Sequence, residues 1–268
     1  MPPQDDEAFE QLLRRVARTP DISKVYRHVG PGVQLAGRFD VEDRLGAGGM
    51  GQVVAAFDRA HEARVALKLL GRLTPQAIVQ LKREFRAAAE LVHPNLVRLH
   101  ELFSDGLEWF FTMELIDGVT LPGLGPLAPD AELLRDVFRQ LAWGLGALHQ
   151  AGMIHADLKP SNFLITRREQ RVVLLDFGLA RPIGLDKAGE FAGTPAYMAP
   201  EQALGQTLTE AADWYAFGVV LYEALTGVLP LRRPSSAKLA HAPADLAALC
   251  LELLRFAPPR ADRLRFVA

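Results

Sequence analysis

The chain has 268 residues, 49% hydrophobic and 23% charged, with 22 Gly and 18 Pro; these proportions exclude a disordered, collagen-like or low-complexity polymer and allow a sizeable core. Thirty Lys and Arg against 32 Asp and Glu leave a net charge of −2, so there is no bulk positive field for a phosphate backbone, and no nucleic acid partner is expected. The one cysteine, Cys250, has no intrachain partner and lies in the apolar run LAALCLELL, which predicts a reducing, cytoplasmic setting and a buried thiol that packs as a small hydrophobe.

Residues 1–36 read as an N-terminal extension: Phe9, Leu12, Leu13 and Val16 stand at helical spacing, and VGPGVQLAG follows as a Pro/Gly-bearing connector. The acidic start lacks the basic segment and apolar stretch of an export signal, and no window approaches 18 uncharged apolar residues, so no membrane role is expected of this segment. From residue 37 to 115 the pattern is strand-like, with FDVEDRL, QVVAAFD, RVALKLL, VRLHELF and EWFFTMEL, interrupted by a helical stretch from Pro75 to Leu91. From 116 to 268 helical periodicity dominates, as in AELLRDVFRQLAWGLGALHQAG and DWYAFGVVLYEALTG, with short strands at NFLIT and VVLLD. These patterns predict an α+β chain of two unequal lobes, a small antiparallel sheet carrying one helix and then a mainly helical lobe, joined near residues 114–120.

Four motifs carry chemistry. Leu45-Gly-Ala-Gly-Gly-Met-Gly-Gln-Val53 fits GxGxxGxV through Gly46, Gly48 and Gly51, and a strand follows it, which disfavours a dinucleotide fingerprint and leaves a flap over nucleotide phosphates or an ordinary hairpin. Lys68 stands in the apolar strand RVALKLL, where an ammonium needs a negative partner; phosphates under the glycines could supply it, as could a carboxylate of the following helix, Glu84 or Glu90. His155-Ala-Asp-Leu-Lys-Pro-Ser-Asn162 places a carboxylate, an ammonium and an amide within six residues of a Pro-bearing loop. Asp157 would orient a hydroxyl proton, Lys159 would neutralise a moving phosphate and Asn162 would ligate Mg²⁺. Asp176-Phe-Gly178 follows the apolar strand Val172–Leu175, where Asp176 can reach a second Mg²⁺ site. Plainer readings hold elsewhere: His93 in HPN is a turn residue, His155 packs beneath its loop, Trp109, Phe110 and Phe111 are core, and Arg14 and Arg15 lie on a solvated face.

In this order, the motifs resemble the protein kinase superfamily, and specifically the eukaryotic-like Ser/Thr kinases of bacteria, over roughly residues 38–265. GTPAYMAPE, ending at Glu201, resembles the family's substrate-groove segment, and Asp213-Trp-Tyr-Ala-Phe-Gly218 is similar to the helix that anchors the catalytic loop. The resemblance implies ATP and Mg²⁺ as cofactors and a two-lobed fold. It pairs Glu84 with Lys68, makes Met113 the gatekeeper, puts the backbone of Glu114 and Ile116 against the adenine edge, and sandwiches the ring between Val53, Ala66 and Leu164. Arg260 resembles the late arginine that pairs with Glu201. Lys159 and Thr194 match the Ser/Thr form, with Thr194 bonded to Asp157 and Lys159, so protein substrates with Ser or Thr acceptors are implied.

Three departures bear on regulation. The family usually carries Arg before the catalytic Asp, and Ala156 stands there; between Leu179 and Met198 the only Ser or Thr is Thr194, so both a loop phosphosite and its charge partner are missing. This predicts an activity not switched by activation-loop phosphorylation. LPGLGPLAPD replaces a short helix after the lobe junction, and the stretches Val228–Ala242 and beyond Arg260 are compressed, as in a module completed by a regulatory partner or by further domains of a longer chain. A pseudokinase that binds nucleotide without turnover, and a small-molecule phosphotransferase on the same fold, are the alternative readings.

Overall fold

A computed structural model describes residues 29–48, 51–106, 108–124, 130–176, 181–182, 194–230 and 234–255. The expected helix around Phe9–Val16, the Phe177-Gly178 pair and Arg260 lie outside the described residues. Two units result: one runs from Val29 to His93 and from Val97 to Asp117, and the other takes Pro94–Leu96 and the described residues from Gly118 onward.

The first unit is an antiparallel sheet in the order β1-β2-β3-β4-β6-β5, built from Gln34–Leu35, Phe39–Gly48, Gly51–Asp58, Ala63–Arg72, Leu99–Asp105 (β5) and Glu108–Met113 (β6). Strict alternation sends Val41, Val54, Ala56, Val65, Leu67, Leu69 and Phe110 to one face, where Phe39 meets the rings of Phe103 and Phe110 edge-on at 5.0 and 5.8 Å. Burying each such side chain stabilises the sheet by about 1.5–3 kcal/mol. The other face carries α1, Pro75–Ala89, which starts where Thr74 Oγ1 accepts the Ala77 N–H at 3.2 Å and Pro75 supplies a preset φ. Its apolar stripe, Leu81, Phe85 and Ala88, is buried, with Phe85 5.6 Å from Phe111 of β6.

The lobe begins earlier than residue 37. β1 pairs Gln34 with Asp40 and Leu35 with Phe39, and Val29 and Leu35 are buried in the same core. The glycines read as a linker are turns: Gly32 and Gly37 sit at φ +85° and +63° and fold the chain back as an edge strand. The change of unit falls after Asp117, and one short excursion, Pro94–Leu96, belongs to the second unit. Asn95 is buried in the second unit, donating through Nδ2 to the Val172 carbonyl (2.8 Å) and Gln140 Oε1 (3.1 Å), while its own carbonyl accepts from Leu174 at 2.9 Å. Gly144 makes room for it, since a Cβ there would lie 2.9 Å from the Asn95 oxygen.

The second unit is organised by α2 (Ala131–Gln150) and α4 (Glu210–Thr226), with the short α3 (Pro200–Ala203) before α4 and α5 (Ala244–Leu253) packed on it. α2 is capped by Asp130 and buries Leu134, Val137, Phe138, Leu141, Leu145 and Leu148. α4 is apolar around most of its girth, with Ala212–Ala216 interrupted only at Tyr215 and Phe217–Tyr222 all buried, as a helix at the centre of a unit must be. Cys250 of α5 lies fully buried against Gly218, and burial pushes its thiol up to about 12. Small ladders complete the unit: β7 (Gly118–Val119), β9 (Phe163–Thr166) and β10 (Val172–Leu174) in one, β8 (Met153–Ile154) with β11 (Arg181–Pro182) in the other. Among the described residues no helix is long and apolar enough to cross a membrane.

Candidate functional site

β8 ends at Ile154 and delivers His155-Ala156-Asp157 onto the buried side of the first turn of α4. There Asp213, 1% exposed, accepts three donors: the His155 N–H at 2.7 Å, the Ala156 N–H at 2.8 Å and His149 Nε2 at 2.8 Å. Burial alone would raise the Asp213 carboxyl, but the His149 bond, the two histidine rings and the backbone donor outweigh it and hold the group below the usual carboxylate range. These bonds stabilise a conformation that is otherwise unfavourable, because Ala156 sits at φ +62°, where a Cβ costs about 1–2 kcal/mol.

His155 has a single consistent tautomer. The Asp157 N–H donates to its Nδ1 at 3.2 Å, so Nε2 carries the proton and donates to the Leu175 carbonyl at 2.8 Å. The ring thereby ties the loop to the end of β10, where Asp176 follows at φ +60°. A second tie runs from the Leu175 N–H to the Asn162 carbonyl at 2.7 Å.

The Asp157 carboxylate is held at both oxygens. Oδ1 accepts the Thr194 N–H (2.7 Å) and the Thr194 hydroxyl (3.0 Å); Oδ2 accepts Lys159 Nζ (2.9 Å) and Asn162 Nδ2 (3.2 Å). Lys159 Nζ also donates to Thr194 Oγ1 at 2.7 Å, so ammonium, hydroxyl and carboxylate close a ring. Asn162 spends its amide nitrogen on Asp157, including the Asp157 carbonyl at 2.8 Å, which leaves Oδ1 as the end that can meet a cation. Asn162 Oδ1 and the Asp176 carboxylate are hard oxygen donors of the kind Mg²⁺ takes. Among the described residues there is no group of three His, Cys, Asp or Glu that could hold a metal ion.

In the first unit, cross-strand partners place Val53, Ala66, Lys68, Phe111 and Met113 on one sheet face, since Val53 opposes Lys68, Lys68 opposes Phe111 and Ala66 opposes Met113. Lys68 is 3% exposed there. Glu84 is half-buried beside Leu81, Phe85 and Ala88 on the inward stripe of α1, and accepts Gln80 Nε2 at 2.5 Å. Glu90 is exposed at the helix C-cap, so of the two carboxylates Glu84 is the one on the face that carries Phe85 onto Phe111. The glycine hairpin pairs Gly46 with Val53 and Gly48 with Gly51, with a register shift that leaves Leu45 half exposed. Gly51, at φ +129°, is demanded by space: a Cβ would lie 2.0 Å from the Leu69 carbonyl oxygen. At Gly46 a Cβ would meet nothing within 4 Å. The Glu114 N–H is committed to the Arg98 carbonyl at 2.9 Å, so its carbonyl is the backbone group it can turn to an adenine edge. Ile116 is half-buried after it; Leu164 belongs to the second unit, half-buried in β9.

Several site residues carried no sequence signal. Gln202 Nε2 donates to the Ala156 carbonyl at 2.7 Å, and Tyr197 donates to Glu223 Oε2 at 2.7 Å, with burial first and that bond second raising its phenol. His149 could be read only as one more residue of a helical stripe.

Comparison with known proteins agrees with this geometry. Residues 39–263 match the family described as protein kinase domain. The chain is 39% identical over 214 residues to the serine/threonine-protein kinase pkn2 of Myxococcus xanthus, covering 75% of this chain and 26% of that protein. It is 38% identical over 205 residues to PknD of Mycobacterium tuberculosis (73% and 30%) and 36% identical over 214 residues to PknA of the same species (74% and 49%). It thus spans about a quarter to a half of the length of these relatives. The crystal structure of the Mycobacterium tuberculosis PknI kinase domain superposes with a TM-score of 0.70 at 26% identity, over 86% of this chain and 93% of that one.

Proposed function

The chain belongs to the protein kinase family, and on that premise we propose that it transfers the γ-phosphoryl group of Mg·ATP to Ser or Thr hydroxyls of protein substrates. The observation that carries the reading is the closed ring of Asp157, Lys159 and Thr194, a carboxylate, an ammonium and a hydroxyl within 3.0 Å of one another. The acceptor oxygen attacks the γ-phosphorus, the bond to the bridging oxygen breaks with its electron pair leaving on ADP, and the hydroxyl proton passes toward the Asp157 carboxylate. Lys159 offsets the charge that builds on the phosphoryl oxygens. Thr194 keeps the carboxylate turned to the acceptor, in a segment suited to a short hydroxyl side chain.

The first unit would supply Leu45, Gly46, Gly48 and Gly51 over the phosphates and Lys68, backed by Glu84, to hold them. Val53, Ala66, Met113, Glu114 and Ile116 would receive the adenine. Asn162 and Asp176 would hold Mg²⁺, which would supply positive charge to offset that of the phosphates. The absence of Ser or Thr from Leu179 to Gly193, with Ala156 where a charge partner would stand, supports an activity that needs no phosphate on that loop. A reducing cytoplasmic setting is proposed from the lone buried Cys250.

The test is transfer of labelled γ-phosphate from Mg·ATP to the chain itself and to a generic basic protein, with Asp157→Asn beside the wild type and the modified residues mapped. Transfer on Ser or Thr outside 179–198 that is lost in Asp157→Asn is the expected result. Bound ATP without transfer would replace this reading with the pseudokinase.

A further inference from the structure

We propose that Gln202 is a positioning residue for phosphoryl transfer: its side-chain amide holds the carbonyl of Ala156 and thereby sets the peptide plane that presents Asp157. The inference rests on the kinase reading and assigns a part in it to a residue outside the recognised motifs.

The peptide between Ala156 and Asp157 is gripped at both ends. Its oxygen accepts Gln202 Nε2 at 2.7 Å and its N–H donates to His155 Nδ1 at 3.2 Å. The preceding peptide is fixed by Asp213, which takes the Ala156 N–H at 2.8 Å. Both backbone groups of Ala156 are therefore satisfied by side chains 46 and 57 residues away, around a residue whose methyl side chain makes no polar contact and whose φ is +62°. A left-handed alanine persists only where its surroundings over-determine it. Rotation of that plane would swing the Asp157 Cα–Cβ bond and pull its carboxylate off Thr194 and Lys159.

The place of Gln202 in the chain makes the link functional. It lies in the single turn of α3, eight residues after Thr194, so one short segment holds Asp157 twice, at the carboxylate through Thr194 and at the backbone through Gln202. With no charged side chain at 156 and no Ser or Thr between 179 and 193, the neutral amide of Gln202 sets the loop without a phosphate.

Two substitutions separate positioning from packing. Gln202→Met keeps the volume and removes the donor. It should lower kcat about tenfold, the size expected for one hydrogen bond lost from the reacting geometry, while the KM for ATP stays within about twofold and the melting temperature within about 2 °C. Gln202→Glu puts a carboxylate against a carbonyl. Its kcat should be low at pH 8 and recover toward pH 6 as the protonated carboxyl becomes a donor, a limb that neither the wild type nor Gln202→Met shows. The titratable groups around this peptide, His149, His155, Asp157, Lys159, Glu201 and Asp213, are common to all three proteins. A Met variant with wild-type kcat, identical pH profiles for the Met and Glu variants, or a loss of kcat that only tracks a fall in melting temperature would each overturn the proposal. Should the wild type transfer no phosphate, the kinase reading fails and amide hydrogen exchange still decides. Faster exchange in residues 153–162 of Gln202→Met, with the rest unchanged, supports the proposal, and unchanged exchange there rejects it.

Discussion

The glycine hairpin joining β2 to β3 and the loop from His155 to Asn162 are the two places where this chain is read to meet phosphate, and they are held by opposite means. The hairpin is a backbone ladder with a register shift, half-exposed Leu45 and open space beside Gly46. The loop is a set of backbone groups and charged side chains, each pinned by buried or half-buried partners from α2, α3, α4 and the Thr194 segment. The difference follows from what each offers. A flap presents N–H groups to phosphate oxygens and gains from the absence of side chains, whereas a carboxylate that must point at one hydroxyl needs its peptide and both its oxygens fixed beforehand.

The sharpest way to break that contrast is Asp213→Ala, which leaves two backbone N–H groups and His149 without their acceptor. The expected cost is about 3–5 kcal/mol, or a melting temperature lower by roughly 10 °C, with kcat down at least about a hundredfold. A variant that melts normally and still transfers phosphate would show the loop is not set by buried bonds. Next in size is Gly51→Ala, where the clash with the Leu69 oxygen should unseat the hairpin at a cost of about 2–3 kcal/mol and raise the KM for ATP about tenfold. Gly46→Ala, with nothing to meet, should leave stability within about 0.5 kcal/mol, so equal destabilisation by the two would erase the distinction between ladder and flap. Thr194→Ala should lower kcat by about ten- to thirtyfold with less than about 1 kcal/mol of stability lost, and Thr194→Ser should recover most of the rate because it keeps the hydroxyl.

The smallest effect is with pH. Asp213 is held below its unfolded value of about 3.9, so the stability it adds is fully present above that value and is lost as pH falls through its lower folded value. Melting curves should therefore hold level from pH 7 to 5 with respect to this group and drop below about pH 4, more steeply in the wild type than in Asp213→Asn. Equal acid slopes would remove Asp213 from the account.

Much of the site was legible because it is written locally. Lys68 in its strand and the HADLKPSN and DFG runs join chemistry and backbone within a few residues, and period-two and period-3.6 patterns placed the strands and helices that carry them to within a few residues of their observed ends. Errors fell where local signs were ambiguous. Gly32 and Gly37 read as a linker because a turn into an edge strand and a flexible joint use the same residues, and Leu91 was included in α1 although the helix stops at Ala89.

From the chain alone, therefore, came the class of fold and the carboxylate, ammonium and amide of one loop that the structure brings within hydrogen-bond distance. Which buried groups orient them was decided only in three dimensions. Asp213 lies 57 residues from Ala156, Gln202 lies 46, and Asn95 lies 77 from Val172. Bonds from a side chain to a distant backbone group need only a donor and an acceptor at the right place, so they impose no periodicity and no residue type that spacing along the chain could reveal.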